Sequence, residues 1–200
     1  MPFNSLTHVA ALCERYGPGR LPGADRQDIG GGYAMATTAA VAAVAFALVG
    51  QIPGIGKATA IGPFWFGYLG IPGGVYAVQI AAVAMLLVVP SAFVAGFLMW
   101  QEGTPSDPSL SGRISGLLAT VLTYLIATVA LALVAVAWAL FQIPVELVSG
   151  VALPEIVTGM LFLPVLAMLA GMFAFVATFW ITLPLGALGG HIHDAARTAR

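Results

Sequence analysis

Charged positions leave long gaps along this chain. No Asp, Glu, Lys or Arg occurs in residues 29–56, 58–101, 114–145 or 156–193. A helix crossing the ~30 Å hydrocarbon core of a bilayer needs about 20 apolar residues. Four stretches qualify: about Tyr33 to Val49, Val75 to Trp100, Ile114 to Gln142 and Ile156 to Leu183. The last three exceed the minimum and have room to tilt, while the first is short and Ala-rich. The pattern predicts an all-α integral membrane protein built as a four-helix bundle. Residues 1–30 read as an amphipathic helix and Gly-rich linker, 31–190 as the transmembrane domain and 191–200 as a C-terminal tail.

Composition sets the solvent. Charged residues make up 8% of the chain and hydrophobic ones 60%, with a mean hydropathy of +0.99. Soluble globular domains carry about 25% charged residues, so lipid is the medium that fits this chain. The net charge of −1 provides no basic field, which argues against a nucleic-acid partner. Cys13 is the single cysteine, so the chain has neither an internal disulfide nor the paired thiols of thioredoxin-like membrane redox chemistry. The N-terminus lacks a basic n-region, and residues 2–13 are too short and polar for the apolar core of a cleavable signal. Residues 9–13 also differ from a lipoprotein site, because Leu12 stands where a small residue is required.

Basic residues orient the spans. Arg15, Arg20, Arg26, Arg197 and Arg200 lie in the tails and Arg113 in the middle loop, all on one side of a four-span chain. Lys57 is alone on the other side. Both termini are therefore expected in the cytoplasm, with the bundle in the cell membrane. Trp65, Trp100, Trp138 and Trp180 fall at expected membrane interfaces. The excess of Arg over Lys, with abundant Ala and Gly, is the bias of a GC-rich prokaryotic genome.

Two short matches point to an internal repeat. Ala47-Leu48-Val49-Gly50-Gln51-Ile52-Pro53 parallels Ala139-Leu140-Phe141-Gln142-Ile143-Pro144, and residues 92–97 parallel residues 174–179. One reading is a duplicated helix hairpin about an axis along the membrane normal; the other is coincidence in apolar sequence. In either case Pro53 and Pro144 are expected to end their helices.

Outside the spans, Leu6, Val9, Cys13 and Tyr16 share one face at helical spacing, which fits a helix on the membrane surface or a partner-binding arm. Gly30-Gly31-Gly32 is read as linker, since neither a preceding strand nor a following Lys-Ser/Thr makes it a phosphate loop. The loop 51–74 holds the aromatic cluster Phe64, Trp65, Phe66 and Tyr68 among glycines and prolines. It fits either an interfacial segment in the headgroup layer or an outer docking or lid loop.

Chemistry-bearing groups are sparse within the spans. No ionisable Asp, Glu, Lys, Arg or His lies deep in any of them, which disfavours proton coupling, voltage sensing and haem ligation. His191 and His193 with Asp194 lack the spacing and further ligands of a metal site, and are read as a solvated helix end. Glu146 and Glu155 are read as solvated loop carboxylates. No catalytic, cofactor-binding or metal-ligating residue is assigned. Small residues recur at helical spacing in the spans, as at Ala36/Ala40 and at Ala167, Gly171, Ala174 and Thr178. Such faces let helix backbones approach closely in lipid. Thr120, Thr123, Tyr124 and Thr128 mark a polar face on the third span, which either bonds within the bundle or lines a polar path. Pro90 and Pro164 are candidate kinks or hinges.

With its long first outer loop around Phe64-Trp65-Phe66-Gly67-Tyr68 and its short second one, the topology resembles the claudin-like four-span proteins in outline. That family's W…G-L-W…C…C signature is absent, so the resemblance implies topology and nothing about site residues. The leading functional expectation is a non-enzymatic scaffold, accessory subunit or self-associating bundle, with partners in a homo-oligomer or larger membrane complex. The alternative is a transporter or channel for a neutral or apolar solute.

Overall fold

The computed structural model describes residues 21–51, 75–101 and 108–198. They form four helices: α1 (Gln27–Gln51), α2 (Val75–Gln101), α3 (Pro108–Val148) and α4 (Leu153–Thr198). All four are long and apolar enough to cross a membrane. Consecutive helices pack most extensively, α1 on α2 and α3 on α4. The two hairpins meet through α2 with α3 and α1 with α4, while α1 and α3 scarcely touch. The helices therefore follow one another around an up-and-down four-helix bundle. The Phe64–Tyr68 cluster and the amphipathic stretch before Tyr16 lie outside the described residues.

The distribution of side-chain size identifies the solvent. Buried positions are mostly small, among them Ala81, Ala92, Ala95, Ala119, Ala127, Ala167 and Ala177. Large apolar side chains point outward: Leu86 is 79% exposed and Phe141 76%. An apolar exterior on this scale is untenable in water. In lipid, burying Leu gains nothing, and close backbone approach through small residues holds helices together. This is a multi-pass membrane protein.

Three helix boundaries differ from the sequence expectation, for related reasons. The Gly30–Gly32 run is not linker but part of the first turns of α1, with Gly31 and Gly32 buried. Glycine costs about 1 kcal/mol relative to alanine inside a helix, yet these sites admit nothing larger. A Cβ on Gly31 would lie 2.7 Å from Trp100, and one on Gly32 would lie 2.9 Å from the Phe93 carbonyl oxygen. At the other end of the bundle α3 continues through Pro144 to Val148, and at the same end as Gly30–Gly32 α4 passes Pro184 to reach Thr198. A proline removes one helical hydrogen bond. Ending the helix in an apolar medium would strand several backbone groups instead. α3 stops only at Gly150, whose φ of 91° is the left-handed conformation glycine tolerates. There Val151 N–H donates to the Glu146 carbonyl and Gly150 N–H to the Leu147 carbonyl, at 3.1 and 3.2 Å, a Schellman ending.

Gln142, Ile143 and Pro144 lie inside α3, whereas Ile52 and Pro53 of the first Q-I-P segment lie outside the described residues. An ion pair between Arg26 and Asp28, at 2.7 Å, marks the entry to α1. The hydrogen bond and negative charge from Asp28 raise the Arg26 guanidinium above its ordinary value.

Candidate functional site

A cavity of about 540 Å³ lies between the four helices. Three of them supply most of its wall. From α1 come Met35, Ala39, Ala42 and Phe46, from α2 residues between Ile80 and Ala92, and from α4 residues between Leu169 and Thr182. The volume exists because the facing positions are small, with Ala81, Ala84 and Ala92 on α2 opposite Ala170, Ala174 and Ala177 on α4. The wall includes Ala170 and Ala174, both exposed, so the cavity communicates with its surroundings.

α3 contributes only Thr120, Thr123 and Tyr124, every one a hydroxyl. Opposite them on α4 stand Thr178 and Thr182, four residues apart and so on one helix face. The Tyr124 hydroxyl makes a short hydrogen bond with Thr178 Oγ1 and donates toward Thr182 Oγ1 at 3.1 Å. Its ring stands edge-on against Phe175, with centroids 5.1 Å apart. The threonines return their protons to their own helices: Thr120 to the Gly116 carbonyl at 2.8 Å and Thr123 to the Ala119 carbonyl at 2.7 Å. Thr178 and Thr182 do the same toward Ala174 and Thr178, at 2.7 and 3.1 Å. Thr38 on α1 completes the polar set, donating to the Ala34 carbonyl at 2.8 Å.

A glycine seam below the cavity brings α3 and α4 into contact. Gly112 and Gly116 on α3 meet Gly190 and Gly186 on α4, backbone against backbone, leaving no space for a Cβ at any of the four. Both pairs have the small-xxx-small spacing that permits such contact in lipid. Gly189 packs on Thr38, which ties α1 to the same seam.

The segment from His191 to Asp194 is not a solvated end. Asp194 is 8% exposed, and Trp100 Nε1–H donates to its Oδ1 at 3.3 Å. The His193 ring packs edge-on against Trp100 with centroids 5.1 Å apart, and its Cε1 lies against Gly30. Residues of all four helices meet here, because Gly112 of α3 also abuts the Asp194 carboxylate. This buried knot closes one end of the bundle.

The positions singled out from sequence distribute unevenly. Thr120, Thr123 and Tyr124 line the cavity, but Thr128 packs against Gly171 in the α3–α4 interface instead. Pro90 and Pro164 are exposed and contribute nothing to the cavity wall. Thr182 and Thr38 are hydroxyls of the cavity wall that sequence reasoning did not select, although the Thr178-to-Thr182 spacing was a usable signal. The Gly186-to-Gly190 motif was missed because it follows the expected end of the fourth span.

No protein-family model matches the sequence, and no curated protein or solved structure matches it either.

Proposed function

We propose that this protein is a non-catalytic membrane protein that takes a neutral, apolar solute into an intramembrane cavity, as a carrier or channel component. The cavity between the four helices is the observation that carries this reading. Its volume falls within the range of about 300–1,000 Å³ typical of small-molecule sites. Among the described residues no Asp, Glu, Lys, Arg or His side chain lines it, so it favours uncharged occupants. The same lining offers no general base or activated nucleophile, which supports binding over chemistry.

A photoreactive alkyl diazirine in liposomes tests the proposal. Saturable labelling of cavity residues such as Ala84 and Thr123, abolished in Ala84→Phe, is the expected result. Labelling that never saturates and falls evenly on all lipid-facing side chains would remove the basis for a solute site.

A second reading, a scaffold or accessory subunit acting by self-association or within a larger complex, is favoured by a different observation. The uncharged stretches 114–145 of α3 and 156–193 of α4 extend about 48 and 57 Å at 1.5 Å per residue. A hydrocarbon core of ~30 Å cannot cover both without strong tilt. Phe141, Val145, Val148 and Leu161 are all exposed on these helices. Native mass spectrometry from gently solubilised membranes tests this reading, which predicts dimers or a defined complex and is contradicted by a monomer alone. The cytoplasmic placement of both termini and residence in the cell membrane complete the proposal, on the strength of the arginine asymmetry.

A further inference from the structure

The proton inventory of the cavity defines what it can recognise. Each hydroxyl carries one proton to donate and two lone pairs to accept. Among the described residues, six hydroxyls line the cavity: Thr38, Thr120, Thr123, Tyr124, Thr178 and Thr182. The five threonine protons go to carbonyls one turn earlier on their own helices. The Tyr124 proton is left for Thr178 or Thr182, whose own protons are already committed. Among the described residues, the other lining side chains are Ala, Val, Leu, Ile, Met and Phe, none of which has an N–H or O–H. Backbone N–H groups are occupied within the helices. Among the described residues the polar wall therefore presents acceptor lone pairs and no free proton.

The geometry points to a neutral hydrogen-bond donor as the ligand: an apolar alcohol of small-lipid size, with its hydroxyl against Tyr124, Thr178 and Thr182. The assignment rests on the proposed solute-binding role and specifies its substrate class. The tail occupies the alanine-rich space toward Ala39, Ala84 and Met85. A ketone, ether or ester of equal size places an acceptor against acceptors, leaving its oxygen desolvated and unpaired. An acid or amine brings a charge with no counter-charge among the cavity-lining side chains.

The test uses the full-length protein in lipid nanodiscs with three radiolabelled probes: 1-tetradecanol, 2-tetradecanone and tetradecane. The alcohol is expected to bind about tenfold more tightly than the ketone, the scale of one net hydrogen bond. The Thr178→Val/Thr182→Val double variant keeps side-chain shape but frees the Tyr124 proton to face the cavity. The alcohol preference should then disappear and ketone binding should rise, a reversal that simple loss of structure does not produce. Tetradecane binding in the double variant reports whether the cavity has survived; if it has not, Tyr124→Phe alone, which removes one of the acceptor oxygens at the site, should lower the alcohol preference, and an unchanged preference overturns the assignment. Equal binding of alcohol and ketone to the wild type, or tighter binding of the ketone, overturns the donor assignment while leaving the solute site standing. Absence of saturable binding by all three probes overturns both.

Discussion

Replacing Gly31 by alanine tests how closely α1 and α2 approach. The added Cβ would lie 2.7, 2.8 and 2.9 Å from Trp100 Cε3, Cδ2 and Cγ. Carbon atoms rest at about 3.5–4.0 Å, so the indole or the helix must retreat by about 1 Å. Trp100 is poorly placed to do so, being buried and tethered through Nε1 to Asp194. The Gly31 carbonyl is equally confined, since a Cβ on Gly96 would lie 2.5 Å from its oxygen. Overpacking of this kind costs about 1–3 kcal/mol, and the clamped indole argues for the upper end. Alanine's helix propensity offsets about 1 kcal/mol of that, leaving a net loss of about 2 kcal/mol. Unfolding by SDS in mixed micelles, followed by helical circular dichroism, measures the change. Gly159→Ala is the internal control, because nothing lies within 4 Å of its added methyl group; propensity alone should make it neutral or stabilising. If Gly31→Ala is as stable as Gly159→Ala, the α1–α2 approach described above is wrong.

Other variants probe the remaining contacts. Trp100→Phe deletes the donor to the buried Asp194 carboxylate. It should destabilise by about 1–3 kcal/mol in the same SDS titration, whereas an unchanged midpoint would mean that other partners already satisfy Asp194. Ser149→Cys in a Cys13→Ser background places a thiol in the exposed turn between α3 and α4. A membrane-impermeant maleimide should label it in intact cells, and labelling only after permeabilisation would reverse the orientation.

The architecture was legible because it depends on one coarse quantity, the spacing of charged residues. The gaps in charge located four helices before any packing was known. Helix ends were harder to locate for a specific physical reason. Gly30–Gly32 and Pro144 are breaker signals calibrated on water, where an interrupted helix finds solvent for its backbone groups. In lipid the helix continues through them, so each expected boundary fell short. The candidate site divided along a similar line. Thr120, Thr123 and Tyr124 announced themselves as polar groups on an apolar span, but their partners came from tertiary structure. Nothing in the spacing of α3 places Thr128 against Gly171 while Tyr124 faces Thr178. Likewise, His193 and Asp194 follow the last long apolar run and read as a wet end until α4 carries them into contact with Trp100. The alanines that define the cavity were visible as small-residue faces. Such faces close an interface in one register and leave a void in another, and only the packing of α2 against its neighbours distinguishes the two.

The central claim is that the bundle contains a real solute site and not merely loosely packed lipid-facing helices. Binding stoichiometry tests it most directly, using radiolabelled 1-tetradecanol and full-length protein in nanodiscs, with empty nanodiscs subtracted. One saturable molecule per chain in the wild type, reduced to none when Ala84→Phe and Ala174→Phe fill the cavity from both sides, is the predicted result. Uptake that rises linearly with probe concentration, identical in the wild type and the filled variant, would contradict it.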